Sequence, residues 1–495
     1  MSGWRFLPLL RIELRLILRE WLTWAVLAAL LAALCLGAST GARRVAAERA
    51  AIAQAVEDSA RSRREAKETA ARYAGPSGVK INYWQDPTHA FGYMHYFLTA
   101  YAVKPPTPLA LLSAGQSEIQ PSVMKTSFGF STVFEDTAYD LTSSAALRLG
   151  PFDLAFVLVY LVPLAVIAVA GTRLAAEQDT GIVRLIAAQP VSPRLVAGAK
   201  FGAAALILIV AVVGGTALAL LLAGLRELPP GWATTLAFLA VALGAYVGVW
   251  VAACALAVSL WRGAVASLTI LVLAWACLVV AVPALFGLAV DALAPPPSRI
   301  AAIDASRQVQ DAFYRGDEAA KVTGAWVVAR VPGAAVRPDL REAPQIKRLA
   351  RDAFYDRTLA PYRAAMQARA EGAAAWSARL ALLSPAATLA LALETAAGTD
   401  AGRHAAFLAE ASRYRQSVRA FFEPRILSQE VRPATVCADC TARLDFDAYD
   451  VVPDFPVAGA ANAAWRQALW SALGLCGLML VLAGLATRRF AGWSL

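Results

Sequence analysis

Charged residues are few in this chain, and six long stretches contain none. Asp, Glu, Lys and Arg make up 17% of the 495 residues, against 58% hydrophobic residues. Because about 20 apolar residues cross the hydrocarbon core of a bilayer, these stretches predict six membrane-spanning helices, here called spans 1 to 6, at residues 21–42, 154–172, 201–225, 232–259, 264–290 and 467–487. Buried helices of a soluble domain are disfavoured, since such helices keep a polar stripe. The fold class expected is an all-α polytopic membrane protein.

Residue patterns for catalysis are also scarce. The sequence contains no Gly-x-x-x-x-Gly-Lys-Ser/Thr phosphate-binding loop and no His-Glu-x-x-His zinc helix. Its three histidines, His89, His95 and His404, give general base chemistry little to draw on. We therefore predict no catalytic residue, no metal and no cofactor in this chain. A polytopic enzyme that works through carboxylates stays as the least favoured alternative.

Cysteine is rare as well. Four of the six cysteines, Cys35, Cys254, Cys277 and Cys476, fall inside predicted spans, where a free thiol behaves as a small apolar group. The other two form a Cys-x-x-Cys pair, Cys437 and Cys440. A thioredoxin-like alternation of strands and helices is missing around them, and so are further zinc ligands. A local structural disulfide is the expectation.

The spans divide the rest of the chain into short and long connections. An amphipathic segment at residues 1–20, a loop at 173–200 and a tail at 488–495 are short. Two long insertions occupy residues 43–153 and 291–466. They predict a mostly helical domain outside the membrane.

Charge predicts the orientation. The short segments, with Arg262, hold eleven Lys and Arg against four Asp and Glu, and an excess of basic residues beside spans belongs on the cytoplasmic side. Both termini are therefore expected in the cytoplasm and both insertions in the periplasm, in the inner membrane of a bacterium. The net charge of +10 is assigned to topology and contact with membrane lipid, not to nucleic acid.

Helix signals continue through both insertions. Residues 43–73 lack Gly and Pro and predict a helical stalk that continues span 1. In the second insertion, Ser384 is the expected N-cap of a helix over residues 385–397, and Gly398 its stop. That helix is apolar but too short to span a bilayer. It either lies on the membrane or packs in the core.

Aromatic residues concentrate at 82–101, with His89, Met94 and His95 among them. Such His and Met side chains are ligands of copper and haem sites, but nothing in the sequence fixes a ligand geometry. The packed core of a domain outside the membrane is the favoured interpretation, and metal binding by these three residues is left open.

The loop at 173–200 carries the most informative pattern. It contains Glu177, then Thr180-Gly181, a short apolar segment at 182–188, Pro190-Val-Ser192, and the basic Arg194 and Lys200. In residue order and position this loop resembles the signature of ABC-2-type transporter permeases. The six spans and the amphipathic N-terminal segment agree with that family, whereas the long insertions resemble its branch with a large periplasmic domain.

The resemblance implies a permease subunit, an exporter rather than an importer, that pairs with itself or with a sister permease and with a separate ABC ATPase. ATP and Mg²⁺ would bind that ATPase. The apolar side chains of the loop would seat in a cleft of the ATPase and its charges would set the register; the residues expected at this coupling contact are Glu177, Asp179, Thr180, Gly181, Val183, Arg184, Ile186, Pro190, Ser192 and Arg194. An adaptor that passes ATP-driven motion to periplasmic partners, without moving a substrate, is the main alternative. The sequence does not identify a substrate.

Overall fold

The computed structural model describes residues 3–73, 83–115, 117, 120–126, 128, 152–171, 173–180, 189, 191–225, 231–261, 263–315, 318–331, 338–428, 446–456 and 464–491. Six of its helices are long and apolar enough to cross a membrane, which confirms the all-α polytopic class in its coarse form. They are Trp21–Tyr73, Leu154–Gly171, Pro193–Leu222, Trp232–Leu260, Ala264–Leu293 and Ala464–Ala491. A further helix, Gly3–Arg19, precedes span 1.

Two helix starts are set by side-chain caps. Asp153 accepts a hydrogen bond from Phe156 N at the start of span 2. Ser192 caps span 3, with Pro193 in the first helical turn. Both caps satisfy backbone N–H groups that have no partner within the helix. Span 3 starts at Pro193, eight residues before the predicted start at residue 201. The prediction excluded charged residues from the span, whereas the helix includes Arg194 and Lys200.

Spans 2 and 4 lie at the centre of the membrane core. More than two thirds of the residues in their apolar stretches are buried inside the protein, against fewer than a third in spans 1, 3, 5 and 6. Span 4 packs closely on span 6 at Gly248, where a Cβ atom would lie 2.3 Å from Met479 Sδ. Exposed apolar side chains on the outer spans are suited to contact with lipid.

The proline of span 2 leaves a carbonyl group that a side chain of span 4 satisfies. Pro163 has no N–H for the carbonyl of Val159, four residues earlier, and the hydroxyl of Tyr246 in span 4 donates to that oxygen at 2.8 Å. Trp275 Nε1 in span 5 donates to the next carbonyl, Tyr160 O, at 3.1 Å. Wide turns accompany both bonds, at Val157–Leu161 in span 2 and at Ala276–Ala281 in span 5. These bonds hold span 2 between its neighbours.

Span 1 continues out of the membrane as one unbroken helix of 53 residues, Trp21–Tyr73, so the predicted stalk is present. Where it leaves the other spans, it is held by close backbone contacts at two glycines. A Cβ on Gly37 would lie 2.7 Å from Asp153 O, and one on Gly41 would lie 2.5 Å from Leu111 O. Thr40 adds a hydrogen bond from its hydroxyl to Phe152 O at 2.6 Å.

Described parts of both insertions fold together beyond the spans, and we call them the insertion domain. Its helices are Arg299–Arg315, Glu318–Val328, Pro338–Glu342, Pro344–Ala381 and Ala401–Ser428. Strands β1 (Ala100–Val103) and β2 (Val123–Thr126) pair antiparallel, which the sequence did not predict. Tyr93 packs on Phe422, Phe446 and Tyr449, so residues far apart in sequence share one core.

The short helix Pro385–Ala397 forms between its predicted cap and stop. The hydroxyl of Ser384 accepts from Ala387 N, and Gly398 ends the helix with φ +69°. Of the two alternatives left open by the sequence, core packing is correct: Leu389 and Leu393 are buried in the same apolar cluster as the spans. Ser384 also donates to Leu278 O in span 5 at 2.6 Å. We call this the buried short helix.

Candidate functional site

Two ends of the membrane core can be distinguished. The insertion side is the end from which residues 43–153 and 291–466 emerge, and the loop side is the opposite end, with the Gly3–Arg19 helix and the 173–200 loop. Five predicted coupling residues, Glu177, Asp179, Thr180, Ser192 and Arg194, lie within the described part of the loop. Others lie outside the described residues: Gly181, Val183, Arg184, Ile186 and Pro190, as does the predicted disulfide pair Cys437 and Cys440.

Lys200 is the centre of a buried ion-pair cluster on the loop side. Its Nζ donates to Glu13 Oε1 at 2.8 Å and to Glu177 Oε1 at 2.6 Å. The side chains of Lys200, Glu13 and Glu177 are 6%, 10% and 21% exposed. Charged groups this deeply buried are stable only when paired. The two bonds therefore tie the N-terminal helix and the loop to the start of span 3.

A second cation, Arg173, extends this cluster. Its guanidinium lies 3.8 Å from the other carboxylate oxygen of Glu13 and 2.9 Å from Glu20 Oε1. Arg173 opens the short helix Arg173–Asp179 that follows span 2. With Glu13, Glu20, Glu177 and Lys200 it forms what we call the loop-side cluster. Motion of any one of these segments is thus resisted by ion pairs to the others.

The N-terminal helix lies on span 3 because their surfaces fit. Its amphipathic sequence buries Ile17 completely and places Glu13, one turn earlier, on the same side. On span 3, two glycines four residues apart lie beside the helix: a Cβ on Gly198 or Gly202 would make an ordinary van der Waals contact, at 3.7 Å, with Phe6 or Leu10. This apolar contact between the N-terminal helix and span 3 places Glu13 beside Lys200.

Asp179 connects the loop to span 5. Its Oδ2 accepts a hydrogen bond from Ala264 N at 3.0 Å, which satisfies a free N–H at the start of that helix. Gly263, just before, adopts φ +97°, a conformation that favours glycine. Next to Asp179, Thr180 donates to Ala176 O at 3.0 Å, and Arg194 is exposed on the first turn of span 3.

Sequence reasoning placed the carboxylates of Glu177 and Asp179 at the surface of a partner, and the structure gives both of them partners within the chain. It missed Glu13 and Glu20 altogether. The available signal was Glu13 itself, an acid inside the apolar face of an amphipathic helix, together with Lys200, a base at the start of an apolar span. The cluster contains no histidine or cysteine, and its geometry suits mechanical linkage.

The aromatic segment forms core in the structure. His89 is fully buried, and its Nδ1 accepts from Phe91 N at 3.0 Å. The ring of His95 stacks on Phe91 with centroids 5.5 Å apart, and Met94 is buried in the insertion domain core. Burial, and then Arg348 and Arg351, lower the pKa of His95 to about 4. Within the described ranges, no group of three or more His, Cys, Asp or Glu residues is placed to hold a metal ion.

One short pattern associated with hydrolases occurs in the chain and is not a site. Residues Gly37-Ala-Ser39-Thr-Gly41 match Gly-x-Ser-x-Gly, a pattern that works as a nucleophile elbow only in a sharp turn between a strand and a helix. Here it lies inside the helix Trp21–Tyr73. The Ser39 hydroxyl donates to Leu36 O at 2.7 Å within that helix. The glycines serve the close backbone contacts of span 1.

Comparison with known proteins finds a family model that matches part of the chain. A family model described as a domain of unknown function (DUF3526) matches residues 339–435, a range that includes helices of the insertion domain and the buried short helix. No curated protein and no solved structure matches the chain. The matched region is thus similar to a recurring domain whose description assigns no activity.

Proposed function

We propose that this chain is the membrane-spanning permease subunit of an ATP-driven transporter of the ABC-2 type, working as an exporter with a separate ATPase. The ATPase would bind ATP and Mg²⁺. Two permease chains, identical or sister chains, would form the transporter in a bacterial inner membrane, with both termini in the cytoplasm. The observation that carries this proposal is the anchoring of the 173–200 loop.

The loop is fixed to four separate elements at its two ends. Glu177 is bonded to Lys200 of span 3, which also binds Glu13 of the N-terminal helix. Asp179 is bonded to the first turn of span 5, and Arg173 follows directly on span 2. A loop that only reversed the chain would not need so many anchors. A force on residues 181–190 would therefore be passed to spans 2, 3 and 5 together.

Movement of the spans then follows from their construction. Helices bend at prolines and at wide turns, and spans 2 and 5 have both, at Pro163 and Pro283. In the proposed cycle, ATP binding closes the partner ATPases, the loop moves with them, and spans 2 and 5 bend or rotate at these points. Export by alternating access is a population shift between two such arrangements.

Copurification with an ATPase tests the proposal. The chain alone should not hydrolyse ATP. Coexpressed with its partner ABC ATPase, it should form a complex whose hydrolysis needs both chains. Ile186→Asp puts an unpaired charge into the expected apolar contact, which costs several kcal/mol, and should reduce complex formation at least tenfold. The matched control is Ile300→Asp, at an isoleucine of the insertion domain that is 81% exposed.

Two outcomes would contradict the proposal. Hydrolysis of ATP by the isolated chain, free of contaminating ATPase, would make it an enzyme. Full complex formation by Ile186→Asp, equal to that of Ile300→Asp, would remove the coupling role of the loop.

A second candidate function is favoured by the stalk. The helix Trp21–Tyr73 joins the membrane core to the insertion domain without a break, and Arg63 and Lys67 on it form ion pairs with Asp454 and Asp450. Such a rod suits an adaptor that passes ATP-driven motion to periplasmic partners.

Distance measurements separate the two functions. Spin labels at Val56, on the stalk, and at Leu222, at the end of span 3, report movement of the stalk when ATP is added to the complex. An adaptor requires an ATP-dependent change in this distance, and four glycines inserted after Arg49 should abolish it. If this distance does not change in the spin-labelled protein without the glycine insertion, while ATP hydrolysis is intact, export remains as the function.

A further inference from the structure

A cavity of about 330 Å³ lies between spans 3 and 4 at the insertion side. Eleven of its twelve lining residues are aliphatic, and the other is Thr216. Leu112, from the segment after β1, and Leu393, from the buried short helix, close the cavity, and both are buried. The exposed residues of its lining are Ala217 and Leu221, both on span 3, and the Leu221 side chain is 60% exposed. Its mouth therefore faces the membrane, between two spans.

Water does not suit this cavity. A buried water needs two to four polar partners, and among the lining residues only Thr216 offers a hydroxyl. That residue is 5% exposed, and its Oγ1 has no hydrogen-bond partner within the described ranges. An empty space of this size would forfeit dispersion contacts along the whole lining. The aliphatic lining of the cavity is suited to a hydrocarbon chain.

The depth of the cavity matches one leaflet of a bilayer. The helical lining residues of span 3 run from Val213 to Leu221, which is about 12 Å along the helix axis. Half of the hydrocarbon core is about 15 Å thick. On span 4 the lining runs from Leu236 to Leu243, so both walls have a similar height. A single extended chain entering from the membrane would occupy this depth.

We propose that the cavity binds one acyl chain of a phospholipid from the leaflet on the insertion side. The chain enters beside Leu221 and lies against Leu220, Leu239 and Leu243 under the cover of Leu393. Through Leu393 the bound lipid contacts the buried short helix, which belongs to the region matched by the family model. The site does not depend on the proposed transport function, because its lining is complete within this chain.

Photolabelling of the full-length chain tests this site. The protein is reconstituted in vesicles of phosphatidylethanolamine and phosphatidylglycerol that contain a phospholipid with a diazirine near the end of one acyl chain. After irradiation, adducts should map to residues 213–225 and 236–243 and should saturate at one per chain. Ala217→Trp fills the cavity from an exposed position in its lining and should lower this labelling about tenfold, a factor that corresponds to 1.4 kcal/mol of binding free energy.

Controls keep the result unambiguous. Leu218→Trp places the same ring one residue further on, at an exposed position outside the cavity, and should leave labelling unchanged. Thr216→Val removes the one hydroxyl at constant shape and should also leave it unchanged. Size-exclusion profiles identify any variant that fails to fold, and Ala217→Leu then takes the place of Ala217→Trp. Labelling that does not saturate, that ignores both Ala217 variants, or that is lost in Thr216→Val would overturn the proposal.

Discussion

Replacing Lys200 by Met should release the N-terminal helix from span 3. Methionine keeps most of the volume of lysine but leaves the carboxylates of Glu13 and Glu177 without their shared cation. Breaking a buried ion pair by removal of one partner costs about 3–5 kcal/mol. Because Glu177 is 21% exposed and can turn toward water, the lower end of about 3 kcal/mol is expected here.

Thiol labelling measures this loss directly. Ile17 is fully buried beneath the N-terminal helix, so Ile17→Cys, in a chain whose six native cysteines are replaced, reacts only when the helix opens. A loss of about 3 kcal/mol makes opening roughly 100-fold more frequent, and the labelling rate of Lys200→Met should rise by that factor. Adding Glu13→Gln removes the more deeply buried of the two carboxylates, which otherwise keeps only Arg173 at 3.8 Å, and should recover most of the loss.

Arg194→Met is the matched control, since Arg194 is an exposed base on the same helix and such substitutions stay within about 0.5 kcal/mol. If Lys200→Met reacts no faster than Arg194→Met, the loop-side cluster does not hold the helix in place and its role in coupling is lost.

Three further predictions concern other parts of the molecule. Gly37→Ala should destabilise the protein by about 1–3 kcal/mol, because the new methyl group overpacks against a backbone carbonyl. Gly214→Ala, with nothing within 4 Å of its new methyl group, should leave thermal unfolding unchanged. Equal effects of the two substitutions would refute the close contact at Gly37. Tyr246→Phe leaves Val159 O without its donor and should lower the free energy of unfolding by about 0.6–1.7 kcal/mol, the range for hydrogen bonds between membrane helices. An unchanged stability would mean that another group satisfies this carbonyl. The pKa of His95 is lowered by burial from 6.5 to about 4, so the contribution of the neutral imidazole to stability is present above pH 6.5 and is lost as pH falls toward 4. His95→Gln should make the free energy of unfolding depend less on pH in that range. An unaltered pH dependence would contradict this.

Local signals in the sequence were sufficient for much of the fold. Runs without charge located six helices because only an apolar helix satisfies its backbone in a bilayer. Ser384 and Gly398 located both ends of the buried short helix because capping depends on residues next to the helix end. Neither inference needed knowledge of distant residues.

Contacts between distant residues were beyond the sequence. Lys200 and Glu13 are 187 positions apart, and the sequence around either residue does not indicate that the other is its partner. The pairing of Tyr246 with Val159 depends on how spans 2 and 4 pack, which apolar composition leaves undetermined. Span 3 starts earlier than predicted because Glu13 and Glu177 neutralise Lys200 and Arg194 is exposed on the first turn of the helix, so a boundary drawn at these charges was wrong for a physical reason.

The stalk helix and its two glycine contacts also define a lever. Gly37 and Gly41 hold span 1 against backbone atoms of neighbouring segments, so this position acts as a fulcrum. From Gly41 the helix extends about 30 Å back to Trp21 and about 48 Å out to Tyr73. A displacement of about 1 Å at the inner end would move the outer end by about 1.6 Å in the opposite direction. If it pivots at this position as a rigid body, the helix would reverse and enlarge a motion between the loop side and the insertion side.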